Sequence, residues 1–164
     1  MRLYGNSSRG AERLRRMYPG GRANATARRY ARFWAWVFGR GLVPRRWVTL
    51  EVRGRRSGRT RRFPLGSVEH GGGRFLVSML GEECNWVRNV RANGGRARLC
   101  HGRCRDVILT EVPVEIRAAI IRDYLRKVPG GRPHIRISPD APVEAFETVA
   151  PAIPVFRISS DPHP

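Results

Sequence analysis

Val48-Thr49-Leu50-Glu51-Val52-Arg53, then Gly54-Arg55-Arg56-Ser57-Gly58, then residues 60–68 read as a strand, a turn and a returning strand. Val48, Leu50 and Val52 alternate with Thr49, Glu51 and Arg53. That period of two gives a strand one apolar face and one polar face. Glycine at both ends of the turn widens the backbone conformations open to it and lets successive N–H groups aim at one spot. Outward from this hairpin the β pattern continues. Gly71-Gly72-Gly73 makes another turn, and Phe75, Val77 and Met79 form one face of a third strand. A short helix fits residues 84–92, and strands fit 96–100 and 104–112 around a turn at His101-Gly102-Arg103.

Pro113 opens a helix at its first position, where a missing N–H is tolerated. Val114, Ala118, Ile121 and Leu125 repeat at helical spacing, and Lys127 sits favourably at the negative end of the dipole. Pro129-Gly130-Gly131 stops this helix; residues 142–149 fit a short one and residues 154–158 a last strand. On the N-terminal side, residues 25–38 read as a helix with Ala27, Tyr30, Ala31, Trp34 and Val37 on one face, capped by Thr26 or Asn24 and ended by Gly39 and Gly41. Residues 1–24 are polar, rich in Gly and Arg, and expected to be a mobile basic arm with at most a short helix near 10–17. Five or six short antiparallel strands and a few helices predict one α+β domain over residues 25–160, built on a small barrel.

The net charge is +19, and Lys127 is the only lysine among 32 basic residues. Residues 1–62 hold 18 arginines against Glu12 and Glu51 alone. One end of the molecule is therefore expected to carry a strong positive field that attracts polyanions. No apolar run reaches the roughly 18 residues of a membrane span, and the start lacks the apolar core of a secretory leader, so a cytoplasmic protein is expected. Cys84, Cys100 and Cys104 read as unpaired, the last two in strands flanking a turn. Cys100-His101-x-x-Cys104 lacks further ligands at workable spacing, so no metal site is assigned.

The turn 54–58 is the most informative local feature. Arg55 and Arg56 bring charge, Ser57 a hydroxyl, and Arg61 and Arg62 begin the returning strand beside them. This suits a phosphate or carboxylate cradle; the plainer reading is a basic hairpin facing water. Three charge-assisted hydrogen bonds, at roughly 1.5–3 kcal/mol each, approach the roughly 8 kcal/mol of a micromolar complex, so an apolar contact must supply the remainder. Asn85-Trp86-Val87-Arg88-Asn89 is the second feature: on a short helix Trp86 and Asn89, three apart, share a face, Trp86 offering a flat apolar surface and Asn89 a donor and an acceptor. The plainer reading is a core tryptophan with a surface asparagine.

Together these segments resemble the deazaflavin-dependent nitroreductase family, whose members use coenzyme F420. The family signature stands here as Gly54, Arg55, Arg56, Ser57, Gly58, Arg61, Pro64 and Leu65, then the apolar strand at residues 75–80, then Trp86 and Asn89. The likeness covers residues 47–112 well and the rest more loosely. It implies a split β-barrel of about six mainly antiparallel strands with flanking helices, of the FMN-binding type. It also implies F420 as coenzyme, with FMN the alternative. On that carry-over Arg55, Arg56, Ser57, Arg61 and Arg62 line the anionic tail. Thr49, Leu50, Phe63, Pro64, Leu65, Gly66, Ser78, Met79, Leu80 and Gly81 line the rest, and Asn85, Trp86, Val87, Arg88 and Asn89 close the pocket. The implied chemistry is hydride transfer to a small organic acceptor: a quinone, an enone or a nitro compound. Two departures stand out. Where some relatives carry tyrosines beside the substrate, residues 128–134 offer only His134 as a proton donor, and Gly66 replaces an aromatic residue over the ring.

Other readings compete. A protein of this fold can carry an apolar ligand without turnover. The charge permits nucleic-acid binding, but no recognised module is present, so no specific nucleic acid is assigned. Residues 25–46, with Phe33, Trp34, Trp36 and Phe38 amid arginines, suit peripheral contact with the inner face of an anionic membrane; the alternative is a helix packed over the barrel mouth. A monomer and a homodimer both fit.

Overall fold

The computed structural model describes residues 25–161. The expected arm 1–24, its short helix and the Asn24 cap lie outside the described residues. The elements run α1 (Ala25–Gly39), β1 (Trp47–Arg53), β2 (Thr60–His70), β3 (Gly73–Val77), α2 (Asn85–Ala92), β4 (Arg96–His101), β5 (Arg103–Glu111), α3 (Val114–Lys127), α4 (Val143–Glu147) and β6 (Val155–Ser160). The strands close into one barrel in the order β1-β2-β3-β6-β5-β4, every neighbouring pair antiparallel. The α+β barrel expected from the strand pattern is the observed fold.

Alternation along each strand builds the interior. Leu50 pairs with Phe63 on one side and Leu99 on the other. Val48, Leu50, Val52, Leu76, Leu99, Val107, Leu109 and Phe156 fill the barrel, and α2 plugs one end with Trp86, Val87 and Val90. Full burial of each such side chain stabilises the fold by roughly 1.5–3 kcal/mol. A second cluster lies outside the wall, where α3 sets Ala118, Ile121 and Leu125 with Val68, Phe75 and Val77.

Five expectations are corrected. The buried face of α1 is Ala35 and Phe38, with Trp34 half-buried, whereas Tyr30 is 40% exposed. The helix is rotated from the expected stripe because Phe38 stacks on Trp47, ring centres 5.2 Å apart, and the Thr49 hydroxyl donates to the Ala35 carbonyl. The same contact explains why Thr49, expected on a polar face, is only 2% exposed: α1 lies on the outer wall, not across the barrel mouth. Val114, expected on the buried stripe of α3, is 37% exposed; Tyr124 and Ile120 are buried in its stead. Cys100 and Cys104 form a disulfide. The short turn pairs them directly across the hairpin, with Cα atoms 4.0 Å apart, a proximity that an odd cysteine count conceals.

Two local arrangements hold the site elements in place. Gly66 sits under the end of α3, where an added Cβ would lie 2.7 Å from Val128 Cγ1; the space of the family's aromatic residue is already filled. Arg91 of α2 grips Glu111 of β5 through two bonds of 2.9 and 2.7 Å. Arg117 of α3, buried, donates to the same carboxylate at 3.1 Å and to the Val112 carbonyl at 2.9 Å. The hydrogen bonds from Arg91, outweighing the cost of burial, hold the Glu111 carboxyl below its ordinary value.

Gly66→Ala is expected to cost about 1–3 kcal/mol in urea unfolding, and Val128→Ala in the same chain to recover part of that loss; strictly additive effects would contradict the close approach. Glu111→Gln is expected to lose roughly 1.5–3 kcal/mol at pH 7. Because the folded carboxyl is depressed, its contribution is complete above the ordinary carboxylate range and drains away as pH falls through the folded value. The gap between wild type and variant should therefore shrink in melts below about pH 4, and a constant gap down to pH 3 would refute the assignment.

Candidate functional site

The bend 54–58 closes on itself. The Gly54 N–H donates to the Arg59 carbonyl at 2.9 Å and the Gly58 N–H to the Gly54 carbonyl at 2.8 Å. The Ser57 hydroxyl accepts from the Arg59 N–H at 3.4 Å. Gly58 has φ +66°, the left-handed region, whereas Gly54 is required by space: a Cβ there would meet the Arg59 carbonyl at 3.1 Å. The expectation of pooled backbone N–H donors is thus only partly met, since several N–H groups are spent within the turn. Charge at this bend comes from guanidinium groups.

What the two sequence features share is a direct contact. The Asn89 side-chain oxygen accepts from the Arg55 guanidinium at 2.9 Å and from the Arg55 backbone N–H at 3.3 Å. Asn85 accepts from both terminal nitrogens of Arg55 at 3.4 Å. One turn further, Asn93 donates to the Arg53 carbonyl at 2.8 Å. Residues 85, 89 and 93 recur every four positions, so one face of α2 meets the hairpin. Asn89 is 4% exposed, and a carboxamide so deeply placed needs these partners. Trp86, three residues before Asn89, is 2% exposed and packs edge-on against Phe156 at 5.3 Å.

Arg56, Arg59 and Arg61 are exposed and have no carboxylate within 4.0 Å among the described residues. Arg62 is paired with Glu51 at 2.8 Å, and Arg88 with Glu83. Phe63, Pro64 and Leu65 are half-buried along β2, whereas Leu50 and Val87 are wholly inside. Ser78 is buried; its hydroxyl donates to the Gly81 carbonyl at 2.8 Å and shapes the turn that leaves Met79 and Leu80 half-buried. His134 is half-buried in the segment after α3, its backbone N–H donating to the Gly131 carbonyl at 3.1 Å.

Three residues that the sequence reading passed over belong to this setting. Arg59 adds a cation at the bend, and Asn93 ties α2 to β1; spacing of four from Asn89 is the signal that finds it. Tyr124 is buried, donates to the Met79 sulfur at 3.7 Å, and has its phenol pushed up by burial. Cys84, just before α2, is also pushed up, because burial outweighs the hydrogen bonds from the Trp86 backbone and the Ser78 side chain. Both groups stay protonated at neutral pH and serve packing.

Among solved structures, an F420-H2 dependent reductase, FDR-A, is 23% identical over 70% of this chain and 95% of its own, with a TM-score of 0.48. A domain-swapped dimer is 20% identical over 82% of this chain and 96% of its own, TM-score 0.51. A conserved hypothetical protein, Rv2991 from Mycobacterium tuberculosis, is 14% identical over 74% and 77%, TM-score 0.50. The latter two likenesses concern the fold. No curated protein matches. The sequence pattern of the family described as F420H(2)-dependent quinone reductase matches residues 22–131, spanning α1 to α3 and with them the bend and helix α2. On that match, the chain belongs to the F420H(2)-dependent quinone reductase family.

Proposed function

We propose that the protein transfers a hydride from reduced F420 to a small organic acceptor, a quinone, an enone or a nitro compound, and holds the coenzyme's anionic tail along the bend 54–58. The observation that supports this best is the fixing of Arg55 by Asn85 and Asn89. It orients a guanidinium before any ligand arrives, which lowers the ordering cost of binding. Guanidinium groups without acid partners and a hydroxyl are the donors that phosphate and carboxylate groups require. Their number exceeds what the single phosphate of FMN would use, which favours F420.

The deazaflavin supplies the hydride when bound. Arg55, Arg56 and Arg61 bind the tail, and Ser57 offers its hydroxyl. Leu65 and Leu80, half-buried against the barrel interior, supply the apolar surface that excludes water, with Pro64 and Met79 flanking them. Thr49, Leu50, Trp86 and Val87 act from within the core by holding β1 and α2 in position. Arg62 and Arg88, already paired, add to the field. His134 delivers the proton to the reduced acceptor.

A second reading rests on α1. Among the described residues, Phe33 and Trp36 are 58% and 51% exposed, and the Arg40 guanidinium lies 4.4 Å above the Trp36 ring. Aromatic side chains amid arginines suit peripheral contact with an anionic membrane, where an apolar quinone would be found.

Quenching titrations with oxidised F420 should show Arg55→Ala/Arg61→Ala weakened at least about 30-fold, and Asn89→Ala about tenfold, with unchanged circular dichroism. Wild-type affinity in the double variant would remove the basis of this proposal. His134→Ala should lower quinone turnover without altering coenzyme affinity. Phe33→Ser/Trp36→Ser should abolish pelleting with phosphatidylglycerol vesicles; equal pelleting of both proteins ends the membrane reading.

A further inference from the structure

The two ends of the barrel differ. Helix α2 plugs the end beside the bend 54–58. The other end opens into a cleft of about 710 Å³, floored by Val48 and Leu99 of the barrel interior. Its volume falls in the range of small-molecule sites, about 300–1,000 Å³. Six cations surround it: Arg45, Arg46, Arg74, Arg103, Arg105 and Lys127. None of the residues assigned to the coenzyme lines it.

Strand alternation explains why these side chains converge. Arg74 is two residues before the inward Leu76 on β3, and Arg105 two before the inward Val107 on β5. Both therefore project toward the mouth of the barrel. Burial and the nearby charges of Arg105 and Arg45 act together to lower the affinity of Arg74 for its proton, opposed by Glu69. Glu69 is the single acid lining the cleft. None of the six cations has a carboxylate within 4.0 Å among the described residues.

Three of them, Arg46, Arg74 and Lys127, are held instead by neutral acceptors. Arg74 donates to the Ser67 hydroxyl at 3.0 Å and to the Arg45 carbonyl. Arg46 donates to the Lys127 carbonyl at 2.9 Å, and Lys127 to the Glu69 carbonyl at 3.1 Å. Carbonyl and hydroxyl partners orient a cation without cancelling its charge. A half-enclosed cluster of positioned, mutually repelling cations is stabilised by an anion that enters it.

We propose that this mouth is a second anion site, which takes a small molecule bearing at least two phosphate or carboxylate groups. The inference is independent of the coenzyme assignment.

Calorimetry with inorganic tripolyphosphate at 0.15 M salt tests it, in the Arg55→Ala/Arg61→Ala chain so that the bend is silenced. One tripolyphosphate per chain is expected, and adding Arg103→Ala/Arg105→Ala, both exposed positions, should weaken it at least about tenfold with an unaltered melting temperature. Absence of saturable binding, or affinity unaffected by the added pair, overturns the proposal. So does a single-stranded oligonucleotide that binds the mouth more tightly than tripolyphosphate, since that would make the surface a nucleic-acid contact.

Discussion

Strand β1 is hydrogen-bonded on both edges, to β2 along its whole length and to β4 through Thr49, Leu50 and Glu51. This double pairing closes the barrel, and the rest of the molecule follows from it. Closure leaves no unpaired strand edge and turns the inward residues into a sealed apolar interior. It also defines two ends, and the chain treats them differently. Helix α2 enters one and buries its apolar side; the other is left to charged side chains. The outer wall then carries α1 and α3 on separate faces.

Positive charge has to be accommodated in such a small body, and the structure uses two devices. Around α2 and α3, acids are shared: Glu111 meets both Arg91 and Arg117. At the bend and at the open mouth, neutral groups do the holding, the side-chain oxygens of Asn85 and Asn89 in one place and backbone carbonyls with Ser67 in the other. The first device neutralises charge and contributes stability. The second leaves the field intact and aims it, which is what a binder of anions requires.

Much of this was legible from local pattern. Alternation of Val48, Leu50 and Val52, glycine at the turns and helical spacing in residues 113–127 marked the elements, because each depends on backbone geometry over a few residues. The likeness of the bend and of Trp86 to Asn89 to an F420-using family pointed to the family that residues 22–131 match. Where the pattern misled, a partner distant in sequence was responsible. Thr49 is buried because α1 lies over it, and the face of α1 is set by Trp47 and Thr49 rather than by its own apolar count.

The sequence by itself thus determined the strands, the helices, the barrel class and the basic character of the bend, since neighbouring residues decide those. Only the tertiary structure joined Arg55 to Asn89, filled the space at Gly66 with Val128, and gathered Arg45, Arg74 and Arg105 around one opening. The physical reason is range: a hydrogen bond or a charge acts over a few ångströms of space, and only barrel closure brings residues 29 and 34 positions apart within that distance.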